Sequence, residues 1–266
     1  NYAANMIFQQ SGASIKKIPV DEQGLNVDYI RTHFTKGAIR CVYICTNRDY
    51  PTTVSLSAER RLKLLQLAKE YQFAIIEDDY DSEFRYLSTP LAALKSLDDK
   101  GRVIYMGTFS KLLFPALRLA YVVVPEWLTD AFASAISSIC RHQPLQAQLI
   151  LRTFIEEGHF ARHLRRMRLL YGERAAMFQQ ACVEHLSEWL SILPITTGLD
   201  ATALLTSSAQ PDVEVAQRLG NACIEVRPLS FYRIGNAAPC GLVLGFSALD
   251  EFQLQQGVKK MRAVFE

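Results

Sequence analysis

Apolar positions in this chain follow two rhythms. Short unbroken runs at Phe73-Ala74-Ile75-Ile76, Val103-Ile104-Tyr105-Met106 and Leu119–Val124 read as buried strands, as does the β-rich stretch Arg40–Thr46. Between and after them the period lengthens to that of helices. Val27–Phe34 is a short one. A second opens at Ser57 as N-cap, with Leu62, Leu65 and Ala68 expected towards the sheet. Ser14–Val20 is expected as a further strand, closed by the turn Asp21–Gly24. Such strand–helix–strand alternation is the mark of an α/β fold.

Helices come next: Pro125–Ser138, Gln143–Glu157 and, after Gly158, a long amphipathic run from Phe160 to Leu186. The remainder mixes strands at Ala203–Thr206, Ile224–Arg227 and Leu242–Phe246 with helices at Val213–Leu219 and Glu251–Phe265. That is the pattern of a compact α+β lobe. The expected division is a large domain over 1–158, a connecting helix over 159–186 and a small domain over 187–266.

Two strand ends carry the chemistry. After Val103–Met106 come Gly107-Thr108-Phe109-Ser110-Lys111, then Pro115 and Arg118. A lysine at the end of a buried strand is expected to be desolvated, which frees its amine to attack a carbonyl carbon. Thr108, Ser110 and Arg118 supply hydroxyls and a guanidinium, the usual equipment for a phosphate. An amine beside a phosphate site suggests pyridoxal 5'-phosphate; a lysine that merely caps a turn is the alternative. The strand Phe73–Ile76 runs into Glu77-Asp78-Asp79-Tyr80-Asp81, and four acids there need partners if buried. Asp78 suits the pyridinium nitrogen and Tyr80 the ring hydroxyl, against a solvated acidic loop or a metal site. The five histidines do not cluster.

The segments Ile75–Phe84 and Tyr105–Arg118 together resemble the fold-type-I aminotransferases. Within these they most resemble the aminotransferase-like domain of MocR/GabR-type regulators of the GntR family. The resemblance implies that Lys111 is the Schiff-base lysine, Asp78 the pyridinium partner and Tyr80 a neighbour of the ring hydroxyl. It also implies that Thr108, Ser110 and Arg118 hold the phosphate. Tyr50, of the aromatic-proline pair Tyr50-Pro51, is expected at the cofactor, and Tyr2 is similar to the tyrosine that stacks on the ring. Arg48 and Asp49 depart from the His-Gln of those regulators. The family's phosphate-binding glycine loop lies upstream of Tyr2, so the chain is expected to begin inside the large domain.

Composition narrows the reading further. The 266 residues are 49% hydrophobic and 21% charged, with a net charge of +2. That suffices for a sizeable core and gives no electrostatic case for nucleic acid. No basic helix-turn-helix is visible, so DNA would be met only through a separate N-terminal domain. The arginines Arg162, Arg165, Arg166, Arg168 and Arg174 read as a solvated helix face, diluted by Glu156, Glu157 and Glu173. Six scattered cysteines suit a reduced, cytoplasmic protein, with Cys41 and Cys45 expected in the core. The longest apolar runs are too short to cross a membrane.

By the resemblance, the expected function is the effector-sensing and dimerising domain of a transcription regulator. Its signal would be pyridoxal phosphate or an amine, and its assembly a homodimer. A working aminotransferase is the alternative. Those enzymes clamp the substrate carboxylate with an arginine in the small domain. Here the segment reads Gly245-Phe246-Ser247-Ala248-Leu249, with Ala248 where the arginine is expected; Arg227 or Arg233, around Pro228–Tyr232, is the alternative for that role.

Overall fold

The computed structural model describes residues 2–87, 91–141, 144–207, 210–232 and 239–266. They form two compact units, the first made of residues 1–50, 54–80 and 91–150. It begins with α1 (Tyr2–Gln10), a small ribbon of β1 (Val20–Asp21) and β2 (Gly24–Leu25), and α2 (Val27–His33). A four-stranded sheet follows from β3 (Cys41–Ile44), β4 (Ala74–Asp79), β5 (Val103–Thr108) and β6 (Ala120–Val123), ordered β3-β4-β5-β6. The β3–β4 and β4–β5 ladders are parallel, and β6 returns antiparallel to β5.

A parallel ladder needs a crossover, and α3 (Ala58–Tyr71) makes it between β3 and β4. Ser57 caps its first turn by accepting from the Arg60 N–H at 3.4 Å, and Gln72 ends it in the left-handed region at φ 61°. The buried face of α3 is Arg61, Leu64, Leu67, Ala68 and Tyr71, whereas Leu62 is exposed. Of the three residues expected towards the sheet, Ala68 is buried and Leu65 packs against the core, but Leu62 is turned out, so the buried face is rotated from the expected one. Arg61 sets it: its guanidinium donates to the carbonyls of Leu56, Ala92 and Thr46, and turns the helix to do so. Leu64, Leu67 and Ala68 meet Val42, Ile44, Ile75 and Val103 in the core of this unit. The strand expected over Ser14–Val20 shrinks to β1. Cys45 is buried but Cys41 is exposed, because β3 ends at Ile44 and the two no longer share a face. The unit closes with α4 (Thr129–Cys140) and α5 (Leu145–Glu156), whose residues divide between the two units.

The second unit takes residues 51–53, 81–90 and 151–266. It holds α6 (His159–Leu186), β7 (Leu190–Ile192), β8 (Asp200–Leu205), α7 (Asp212–Asn221), β9 (Arg227–Pro228), β10 (Gly241–Gly245) and α8 (Glu251–Phe265). Its sheet runs β7-β8-β10-β9 and is antiparallel throughout. The run expected as a connecting helix is part of this unit. Ala175, Phe178, Ala181, Cys182 and Leu186 of α6 share one core with Ala201, Ala203, Leu242, Leu244, Leu254 and Val258. The strand expected over Ile224–Arg227 survives only at β9. Ile224 instead donates its N–H back to the carbonyl of Leu219, prolonging the end of α7. No helix among the described residues is long and apolar enough to cross a membrane.

Candidate functional site

The C-terminal ends of β4 and β5 lie side by side, Asp78 opposite Met106 and Asp79 opposite Gly107. In an open α/β sheet this is the edge where ligands bind. Alternation along β4 sends its acids to opposite faces. Ile75, Glu77 and Asp79 are buried, and Asp78 is half-buried on the other side.

The inward acids are answered one by one. Glu77 accepts from the Thr46 hydroxyl at 2.5 Å and from the backbone N–H groups of Leu94 at 2.7 Å and Lys95 at 2.8 Å. Asp79 accepts from the Tyr105 hydroxyl at 2.8 Å and the Asn47 amide at 3.2 Å. Burial first, then the Asp79 charge, pushes the Tyr105 phenol above its ordinary range. The other end of the Asn47 amide accepts from Arg61 at 3.0 Å, so one polar chain ties α3 to the turn after β3 and to the end of β4. Tyr121 lies across Gly107, where an added Cβ would come within 2.3 Å of the phenol ring.

The turn after β3 carries Arg48 and Tyr50. Arg48 is buried and donates to the Tyr80 hydroxyl at 3.2 Å, which in turn donates to the Arg48 carbonyl at 3.3 Å. The expected ring-hydroxyl neighbour is therefore oriented by Arg48, one of the two residues that depart from the family pattern. Tyr50 is half-buried in the same turn. On the outer face of β4, Asp78 accepts a hydrogen bond from Tyr43 on β3 through Oδ2. Tyr43, Asn47 and Arg61 have no motif in the sequence. Only the strand register, Tyr43 opposite Ile76 two residues before Asp78, exposes the first of them.

The phosphate-type residues share one loop. Thr108 ends β5, and its hydroxyl accepts from the Ser110 N–H at 3.2 Å. The loop closes where the Phe109 N–H meets the Leu119 carbonyl at 3.0 Å. Leu112 and Leu119 are its buried anchors. Between them Pro115–Leu117 forms a 3-10 turn, and Arg118 stands at φ 51° in the left-handed region. Lys111 and Arg118 are exposed, and Thr108 and Ser110 half-buried. The expected desolvation of Lys111 is thus not found in this chain: β5 stops three residues earlier, and the inward place falls to Leu112. Tyr2 opens α1, and its side chain lies outside the described residues.

A carboxylate, two hydroxyls, a guanidinium and a primary amine are thereby gathered around one sheet edge. Over residues 2–236 the sequence matches the family of class I and II aminotransferases. The chain belongs to that family. It is 36% identical to a probable rhizopine catabolism regulatory protein, MocR, of Rhizobium meliloti, over 96% of this chain and 51% of that protein. It is 32% identical to an uncharacterized HTH-type transcriptional regulator, YdeL, of Bacillus subtilis, over 99% of this chain and 56% of the relative. Among solved structures, a kynurenine aminotransferase of Pyrococcus horikoshii, in complex with PMP, superposes at a TM-score of 0.89. It has 24% identity and covers 99% of this chain and 66% of its own. The chain spans about half the length of the curated relatives it matches. The fold is the fold-type-I aminotransferase arrangement, α/β with a mainly parallel sheet.

Proposed function

We propose that this chain is the pyridoxal-phosphate-binding, effector-sensing and dimerising part of a MocR-type transcription regulator. The observation that carries the proposal is the loop Thr108–Arg118, set beside Asp78, in a chain aligned along nearly its whole length with regulators. DNA would be bound by an N-terminal winged helix-turn-helix, as the HTH-type name of a relative suggests, in a cytoplasmic homodimer.

The residues present suit the cofactor's chemistry. Asp78 would hold the pyridine nitrogen, with Tyr80 and Tyr50 near the ring hydroxyl. Arg118 would neutralise the phosphate, while Thr108 and Ser110 would donate to it. Lys111 would bond the cofactor's carbonyl carbon, and its exposed amine is reachable without opening the core. Bound there, pyridoxal phosphate supplies an electrophilic carbon and an electron sink. Ala248, in the turn after β10, stands where an amino-acid aminotransferase is expected to carry its carboxylate-binding arginine. Arg174 donates to the Ser247 carbonyl of that turn, Arg227 is exposed on β9, and Arg233 lies outside the described residues. The signal proposed is therefore pyridoxal phosphate itself or an amine lacking a carboxylate.

Reconstitution of the protein with pyridoxal phosphate tests this. A visible absorption band of the lysine-linked cofactor is expected, and Lys111→Ala should abolish it. An unchanged band in that variant overturns the assignment. The likeness to a kynurenine aminotransferase favours a second reading, an enzyme, and the same sample separates the two. Keto-acid release from an ordinary amino acid would establish the enzyme.

A further inference from the structure

We infer that Tyr43 is a positioning residue for Asp78, turning one carboxylate oxygen away so that the other faces the cofactor's ring nitrogen. The inference rests on the reading of Asp78 proposed above.

Tyr43 lies on β3 and Asp78 on β4. The register pairs Tyr43 with Ile76, so Tyr43 and Asp78 stand on the same face of the sheet, one pleat apart. The Tyr43 hydroxyl donates to Oδ2 of Asp78. Its ring packs edge-on against Phe8 of α1, with 6.0 Å between centroids. A phenol so packed has less freedom to release its acceptor. A carboxylate has two oxygens with two lone pairs each, so a donor on Oδ2 orients the group and leaves Oδ1 outside that bond.

The type of donor matters as well. A guanidinium in this place would offset the charge of Asp78 and weaken its hold on a protonated ring nitrogen. A neutral phenol stabilises the carboxylate and leaves its charge in place. Tyr43 therefore does for Asp78 what Asn47 and Tyr105 do for Asp79 on the opposite face. The difference is that the Asp78 face is only half-buried.

The test compares affinity for pyridoxal phosphate with affinity for its 1-deaza analogue, in which carbon replaces the ring nitrogen. Tyr43→Phe keeps the ring and the Phe8 contact and removes only the hydroxyl. It should weaken pyridoxal phosphate by about tenfold, the scale of one hydrogen bond to a charged group, and leave the deaza analogue unchanged. An equal loss for both ligands would mean a merely structural role and overturn the inference, as would no loss for either. Asp78→Asn is the control. If wild type does not prefer the ring nitrogen, or Asp78→Asn keeps the preference, the reading of Asp78 itself fails. A preference lost in Asp78→Asn but kept in Tyr43→Phe overturns Tyr43 alone. In the cofactor-free protein, the carboxyl-carbon NMR signal of Asp78 should move in Tyr43→Phe; an unmoved signal also overturns it.

Discussion

The two four-stranded sheets bury different things. The first unit places Glu77, Asp79, Arg48 and Arg61 out of solvent around the ends of β3 and β4. The second buries mainly aliphatic side chains, Ala201, Ala203, Leu242, Leu244 and Val258 among them, with two buried carboxylates, Asp81 after β4 and Asp212 in α7. Buried charge is costly unless every lone pair and proton is met. In the first unit that requirement fixes geometry. Arg61, Asn47 and Asp79 lock the turn that carries Arg48 and Tyr50, and Glu77 pins the turn at Leu94. An apolar core alone tolerates volume-conserving exchange and would hold such loops less firmly. Polar burial is concentrated where side chains must be aimed.

Removing one carboxylate from each unit gives the largest expected effects. Glu77→Ala leaves the Leu94 and Lys95 N–H groups and the Thr46 hydroxyl without their acceptor, and should cost about 4 kcal/mol. Asp212 accepts from the Ser230 N–H at 2.8 Å, the Ser230 hydroxyl at 2.5 Å and the Gly241 N–H at 3.1 Å. Ser230 is half-buried, so water can replace part of what is lost. Asp212→Ala should cost less, about 2–3 kcal/mol. Urea unfolding of the two variants checks the order. A Glu77→Ala loss below that of Asp212→Ala would mean that the first sheet does not depend on its buried charge.

Glycines in the two sheets sharpen the contrast at a smaller scale. At Gly107 an added methyl meets the Tyr121 ring, which is a movable side chain at 37% exposure. At Gly241 it meets the Ala203 carbonyl oxygen at 2.3 Å, which is backbone held in the β8–β10 ladder. Gly241→Ala should therefore cost about 3 kcal/mol and Gly107→Ala about 1–2 kcal/mol, both by overpacking. Tyr121→Ala should relieve Gly107→Ala in a double-mutant cycle. Additive losses there would show that the tyrosine is not the obstacle.

Much of this was legible in the sequence, unevenly and for physical reasons. The strand ends carrying Asp78 and Lys111 stand out because a charge directly after an apolar run has few explanations. The helices at Val27, Phe160 and Glu251 follow from periodicity alone. The phase of α3 did not, because Arg61 reads as surface until its carbonyl acceptors are known. Tyr43 and Asn47 were invisible because their carboxylate partners lie 30 or more positions away, and strand register reveals only the first of the two. Lys111 was misjudged in burial, since nothing local reveals that Leu112 rather than the lysine turns inward.

The smallest effect compares a helix cap from each unit. Ser57 caps α3 with one long bond, 3.4 Å to the Arg60 N–H. Asp250 caps α8 with a reciprocal pair. Its carboxylate accepts from the Gln253 N–H at 2.8 Å, and the Gln253 side chain accepts from the Asp250 N–H at 3.0 Å. The second arrangement satisfies two otherwise unmet N–H groups and adds negative charge at the positive end of the helix. Ser57→Ala should cost about 0.5 kcal/mol and Asp250→Ala about 1–1.5 kcal/mol. Ser57→Asp brings the missing charge to the first unit and should recover a few tenths of a kcal/mol over serine. Thermal unfolding resolves the three variants. If Ser57→Ala proved the more damaging, the long bond would be understated by its length. The first unit would then depend on its cap to hold Arg61, four residues on, against the turn at Thr46.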